Sequence, residues 1–510
     1  MPHRIRILSY TDIHGTIYPH SYADHTPQNK GLAKLKPLID FLRDDHTVLI
    51  DNGDTLEGTP LTFFHFKKRA DSVCPMTLAM REAGVDFVNI GNHDLNFGQQ
   101  ALFRHLSECG ATCITKNVVF KGKPLAPPYV MRVLGGKRIA FFGVTTQYIP
   151  HWEQEENLEN MTFPDAFETV RDTVHMLRNK PPAERPDCIV CAYHGGFERD
   201  PETGERQGID TGENEGFRML TEIEGLDVLI SGHQHRVCAG ERNGTVYTQS
   251  GMSGQLLSVV DINTLTGEIT PRLIPVEDDI DTRILKPVQE EEDACQAWLD
   301  EAIGETALDL TVPDEDDARL HKAQIITFLN QVQMRVTGAE LSASALFMGA
   351  KGFQKTVTMR DVMSTYPFPN TLVVKRITGK ILKEYLEHAA EYWTIGEDGE
   401  VCVSEDYLLP VPTHFNYDMV DGVEYTIRVS NPKGARITSL TRNGSPIRDD
   451  DTFTMAVNNY RASGGGGYDM IVDAPTVSDR QIDVAGLIAE DIEQHPVISF
   501  TPCHNILVEK

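Results

Sequence analysis

Ile5-Arg6-Ile7-Leu8-Ser9-Tyr10, followed at once by Thr11-Asp12-Ile13-His14-Gly15, decides the reading of this chain. The first six residues are rich in β-branched and aromatic side chains and read as a β-strand. The polar residues after them then stand at its carboxyl end. The same grammar recurs four times. Asp51-Asn52-Gly53-Asp54, Gly91-Asn92-His93-Asp94, His194-Gly195-Gly196 and Ser231-Gly232-His233-Gln234-His235 each follow an apolar run. Strands are expected over 5–10, 47–51, 87–90, 139–144, 188–192 and 228–230, and helices over 32–43, 75–83 and 99–108. Strands alternating with amphipathic helices define an α/β layered domain. In such sheets the carboxyl ends of the strands form a common rim where ligands bind, so five distant motifs can meet at one site.

The residue types at that rim suit one chemistry. Imidazole, carboxylate and amide oxygen together bind borderline divalent ions such as Mn²⁺, Zn²⁺ or Fe²⁺. A carboxylate such as Asp54 can bridge two ions, which together activate water as a hydroxide nucleophile and clamp phosphoryl oxygens. Singly, an Asn-His or an Asp-Gly is usually a turn; the five motifs in order are the signal. Histidines outside them, His105 among these, read as surface or packing residues.

Composition bounds the alternatives. At 510 residues with 40% hydrophobic and 24% charged content, the chain reads as a soluble protein of two or more domains. A formal charge of −28 disfavours long nucleic acids as partners, while bound cations would still admit a small phosphate ester. No run approaches the ~20 apolar residues of a membrane helix. The start carries no hydrophobic leader, so a cytoplasmic location is expected as the sequence stands, and export if a leader has been removed. Nine scattered cysteines argue against a disulfide framework. Cys188 and Cys191, three apart on an expected strand, should point to opposite faces as core residues. An acidic stretch from Glu277 to His321 is read as a linker, giving domains at 1–275 and 322–510 with 276–321 between them.

The D-x-H, G-D, G-N-H-D, H-G-G and G-H-x-H series resembles the calcineurin-like metallophosphoesterases, and the whole chain resembles the two-domain 5′-nucleotidase family. The resemblance implies an N-terminal β-sandwich flanked by helices and a C-terminal α+β nucleotide-recognition domain. It implies a monomer or weak oligomer acting on a small nucleotide. Asp12, His14 and His235 would hold one metal, Asn92, His194 and His233 the other, and Asp54 would bridge them. His93 would approach the phosphate, stabilising the transition state or protonating the leaving oxygen.

Many members orient that histidine with an aspartate three residues on; here the position is Asn96, as in the 2′,3′-cyclic-nucleotide 2′-phosphodiesterase/3′-nucleotidase branch. Tyr366-Pro367-Phe368-Pro369-Asn370, Phe415-Asn416-Tyr417-Asp418 and Asn458-Asn459-Tyr460-Arg461-Ala462-Ser463-Gly464-Gly465 resemble the same branch. The arginine-bearing segment of many 5′-nucleotidases is replaced by Leu346-Phe347-Met348-Gly349-Ala350-Lys351. Family members stack the base between two aromatic rings. Tyr460 is expected as one and Tyr417 as the other, with Tyr366 in reserve; Asn459, Arg461 and Gly465 are candidate contacts. The expected function is metal-dependent hydrolysis of cyclic and 3′-nucleotides. The alternatives are a 5′-nucleotidase or nucleotide-sugar hydrolase, and a catalytically silent nucleotide-binding protein.

Overall fold

Residues 3–206, 212–368, 370–409 and 412–510 are described by a computed structural model, with backbone alone at 479–482; Pro369 lies outside the described residues. The chain divides into two units, Met1–Cys295 and Gln296–Lys510.

The first unit is built on two six-stranded sheets. One runs in the order Ile269–Pro275, Leu256–Asn263, Arg4–Tyr10, Thr47–Asp51, Phe87–Val88, Thr112–Cys113. The other runs Val237–Arg242, Thr245–Ser250, Val228–Ile230, Cys188–His194, Lys137–Thr145, Val130–Leu134. Period-2 alternation explains how each strand serves two layers. Ile5, Ile7, Val48, Ile50 and Phe87 from the first sheet meet Ile139, Phe141, Val190, Val228 and Ile230 from the second in one buried cluster. The intervening residues Ala140, Phe142, Val144, Ile189 and Leu229 face outward against Phe167, Val170, Val174 and Leu177 of the helix Ala166–Arg178. Cys188 lies in the inner cluster and Cys191 in the outer one, so the two thiols are core residues on opposite faces, as expected.

The helices Pro75–Ala83 and Gln99–Glu108 occupy their expected ranges. Pro75 supplies a preset φ and no N–H at the first turn, and Gly84 (φ 72°) closes the helix in the left-handed conformation. His105, on the second of these helices, is buried at 2% exposure, with Nδ1 2.8 Å from Thr77 Oγ1 and no partner for Nε2 among the described residues. Burial pushes its pKa from 6.5 down to about 4. Below pH 6.5 the unfolded chain therefore takes up a proton that the folded chain refuses. Stability is fully present above 6.5 and is expected to fall by about 1.4 kcal/mol per pH unit towards 4, about 3 kcal/mol in all. Urea midpoints for the wild type and His105→Gln across that window should diverge accordingly; parallel curves would refute the assignment.

Strands 4–10, 47–51 and 87–88 pair in parallel, as do 137–145, 188–194 and 228–230, so the carboxyl ends within each sheet share a rim. Two fully buried asparagines join the two rims. Asn52 Nδ2 donates to Tyr193 O at 3.1 Å, and Asn89 Nδ2 donates to Asn52 Oδ1, Val144 O and Ala192 O at 3.0, 2.9 and 3.2 Å. Their side chains satisfy carbonyls that strand pairing leaves open.

The second unit contains a five-stranded sheet in the order Asp418–Asp421, Leu341–Ala345, Thr452–Asn458, Thr371–Thr378, Thr476–Asp483, a four-stranded sheet and smaller ladders. Its longer helices are Gln324–Thr337, Gly379–Ala390 and Val484–Gln494. The segment 276–321, read as a linker from its acidity, is largely folded. The helix Gln289–Leu299 turns Glu291 to His65 (2.7 Å) and Glu292 to Tyr22 (2.7 Å), while Ala302–Thr306 pairs within the second unit. Its charges have specific partners, which a count of carboxylates does not reveal. Among the described residues no helix is long and apolar enough to cross a membrane.

Candidate metal centre

Three of the five motif loops leave the shared rim in strained backbone. Asp12, His14, Asp54, His233 and His235 all have positive φ, between 48° and 70°, which side-chain-bearing residues rarely adopt. Strain of this kind persists where surrounding structure over-determines it and tends to mark functional sites. Gly91 shows what holds one of the loops. A Cβ there would sit 2.2 Å from Asp54 Oδ1, so only glycine lets this carboxylate lie against the backbone.

The side chains form two groups. Asp12, His14 and His235 present ligand atoms within 4.8 Å of one another, and so do Asp54, His194 and His233. Asn92 Oδ1 joins the second group, 3.2 Å from His194 Nε2. Asp54 Oδ2 faces both groups, 3.2 Å from His194 Nε2 and 3.9 Å from His14 Nε2.

The donor set fits divalent cations on its own chemistry. His194 Nδ1 is 2.7 Å from Asn52 O, and His14 Nδ1 is 3.1 Å from Glu57 O. A carbonyl only accepts, so each ring donates from Nδ1 and turns the lone pair of Nε2 towards the centre. There His14 Nε2 meets His235 Nε2 at 3.0 Å, and the buried Asp54 Oδ2 has no hydrogen-bond partner among the described residues. Converging lone pairs with an orphaned carboxylate oxygen call for positive charge. The electrostatics agree. Burial disfavours a charged ring, yet Glu57, Asp54 and Asp12 push His14 up to about 9 and Asp54 and Asp12 push His194 up to about 10, so in the absence of cations protons on Nε2 take their place.

Residues that sequence reading did not single out complete the frame. Asp94, buried, accepts from Thr55 N (2.8 Å) and Leu56 N (3.0 Å) on one oxygen and from Gly91 N (2.8 Å) and Asp54 N (3.1 Å) on the other. It thus fixes the loop that carries Asp54. Its place in Gly91-Asn92-His93-Asp94 was a usable signal. Glu213 Oε1 lies 2.8 Å from His233 Nε2, which leaves Nδ1 of that ring for the cluster. Nothing local in the sequence marks Glu213. His93 is half-buried beside the second group, its N–H donating to Asp54 Oδ1 (2.7 Å) and its Nδ1 2.7 Å from Asn96 Oδ1.

In the second unit the expected base-stacking residues separate. Tyr460 is partly exposed, and Gly465 lies so close to its ring that a Cβ would come within 2.5 Å of it. Tyr417 is fully buried and stacked on Tyr392 at 4.6 Å, so it is a core residue. Tyr366, 2% exposed, packs edge-on to Phe347 and is core as well. The partly exposed aromatic next to Tyr460 is Phe415, with ring centroids 6.4 Å apart. Arg461 is likewise buried. It donates to both oxygens of Asp418 (2.8 and 3.0 Å) and to Phe415 O (2.9 Å), which makes it a structural brace and not a ligand contact. Asn459 Oδ1 accepts from Thr371 N at 3.0 Å.

Helix-flanked paired sheets with a histidine–carboxylate cluster at their common rim define a metallophosphoesterase. Residues 5–237 match the calcineurin-like phosphoesterase family and residues 302–473 match the 5′-nucleotidase C-terminal domain. A Staphylococcus aureus protein of known structure, provisionally assigned as a 5′-nucleotidase, is 35% identical with a TM-score of 0.91, covering 99% of this chain and 100% of that one. The 2′,3′-cyclic-nucleotide 2′-phosphodiesterase/3′-nucleotidase of Salmonella typhimurium is 27% identical over 90% of this chain and 81% of its own length. The 5′-nucleotidase of Vibrio parahaemolyticus is 23% identical over 97% and 90%. The chain belongs to the two-domain 5′-nucleotidase family of calcineurin-like metallophosphoesterases and is a phosphate-ester hydrolase.

Proposed function

We propose that this chain hydrolyses nucleotide phosphate esters, preferring 2′,3′-cyclic nucleotides and 3′-nucleotides. The observation that carries the reading is the pair of ligand groups facing Asp54. Asp12, His14 and His235 would hold one ion and Asn92, His194 and His233 the other, with the Asp54 carboxylate facing both groups. Mn²⁺, Zn²⁺ and Fe²⁺ all suit these donors. When bound, the ions supply Lewis-acid charge to the attacking water and to the phosphoryl oxygens. His93, beside the second group, presents Nε2 to the ester and serves the leaving oxygen. Tyr460 and Phe415 offer a stacking surface for a base, a contact of about 1–3 kcal/mol that tolerates base identity. Asn96 and the Salmonella relative support the cyclic and 3′ preference. The Staphylococcus relative favours a second reading, a 5′-nucleotidase.

Hydrolysis of 2′,3′-cyclic AMP, 3′-AMP and 5′-AMP by one Mn²⁺-supplemented sample separates the two. Faster turnover of the first two is expected; preference for 5′-AMP would move the assignment to the second reading. Stripping metal with a chelator is expected to abolish turnover of all three, and full activity in a stripped sample would overturn both readings.

A further inference from the structure

Asn96 stands where many members of the family carry an aspartate, and here a carboxylate lies one residue further out. His93 Nδ1 is 2.7 Å from Asn96 Oδ1, and Asn96 Nδ2 donates to Glu153 Oε2 at 2.7 Å. The other oxygen of Glu153 accepts from Gln154 N and from Asn157 Nδ2, each at 2.8 Å. The polarity of this chain of bonds is set from its outer end. A carboxylate only accepts, so Asn96 turns its NH₂ to Glu153 and its carbonyl to His93. A carbonyl also only accepts, so His93 carries its proton on Nδ1 and directs Nε2 away. An amide alone could lie either way round; Glu153 removes the choice.

We propose that Glu153 is the positioning residue of a His93–Asn96–Glu153 relay, fixing the tautomer of His93 and supplying the negative charge that aspartate supplies elsewhere in the family. The proposal rests on the reading of His93 as the residue that meets the ester. Glu57 Oε2 also lies near this ring, 3.3 Å from Nδ1, and is its competitor for the role.

Glu153→Gln reverses the relay. Gln154 N and Asn157 Nδ2 are both donors and keep the carbonyl of the introduced glutamine on their side. Its NH₂ then faces Asn96, whose amide turns over and presents NH₂ to His93 Nδ1. In protein loaded with Zn²⁺, a diamagnetic probe, imidazole ¹⁵N shifts should show His93 leaving the Nδ1–H form, with the signal assigned by its loss in His93→Gln. kcat should fall at least about tenfold with KM within about threefold. Asn96→Asp alone sets two carboxylates at the present 2.7 Å and should also be impaired. Asn96→Asp combined with Glu153→Gln restores one carboxylate and one amide, and should return the Nδ1–H form and kcat to within about threefold of wild type. If Glu153→Gln keeps Nδ1–H and full kcat, Glu57 holds the ring and the proposal is overturned. A double variant no better than either single overturns it too, and decides the matter if Glu153→Gln alone folds poorly. A wild type inactive on every phosphate ester would refute the proposed function, while the ¹⁵N shifts would still report on the relay.

Discussion

Asp54→Asn is expected to lower turnover at least about 10³-fold, about 4 kcal/mol of barrier, and to destabilise the metal-free protein at neutral pH as well. The two effects share a cause. Asp54 is 1% exposed, and its Oδ2 faces His194 Nε2 at 3.2 Å and His14 Nε2 at 3.9 Å. Without cations, protons supply the positive charge, since the neighbouring carboxylates push His14 up to about 9 and His194 up to about 10. Asparagine has the same shape, so its Oδ1 can still accept from His93 N, a bond of 2.7 Å in the wild type. Its NH₂ would stand in place of Oδ2 against protonated rings, and the buried carboxylate that stabilises their charge would be gone. The charge that would attract two cations is lost at the same stroke. Thermal melts with and without Mn²⁺ test this directly. Wild type should be stabilised by the metal through linkage, and the variant should gain little. A variant that keeps turnover and is stabilised by Mn²⁺ as much as wild type would show that Asp54 does not serve the cations.

The centre was legible in the sequence because of where its residues stand on their strands. Asp12 and His14 follow the strand Arg4–Tyr10, Asp54 follows Thr47–Asp51 and His233 follows Val228–Ile230, and parallel pairing converts those positions into one rim. What joins the rims was not legible. Asn52 and Asn89 lie among motif and strand residues, and only the second sheet's carbonyls give their amides a purpose. Glu153 and Glu213 sit in irregular segments about 60 and 20 residues from the histidines they serve, with no periodicity to announce them.

The expected aromatics of the second unit differ in burial for a more local reason. The expected ring, Tyr417, and its neighbour Phe415 share one short segment. His414–Asn416 is a single 3₁₀ turn and Asp418–Asp421 a strand, so the chain changes period between Phe415 and Tyr417. One ring is left half-exposed and the next fully buried. An aromatic residue at such a junction has no facing that composition can predict.

Arg461 gives the second large effect, and it separates a brace from a ligand contact. Its guanidinium is 1% exposed and pairs with both oxygens of Asp418, itself 3% exposed. It also donates to Phe415 O and lies 4.1 Å from the centroid of the Tyr468 ring. Removing one partner of a buried pair strands the other's charge, so Arg461→Ala should destabilise the second unit by about 3–5 kcal/mol. Removing both charges leaves no stranded ion, so Arg461→Met with Asp418→Asn should cost clearly less than Arg461→Ala alone. Chemical denaturation followed by amide exchange in residues 415–420 and 452–458 would read this out, since those strands share the brace. A base-contacting arginine would behave in the opposite way, with KM rising, stability unchanged and no rescue by the second substitution. The geometry predicts the first pattern because the hydrogen bonds of this guanidinium run to the protein itself. Through Phe415 O it also anchors the segment whose ring lies beside Tyr460.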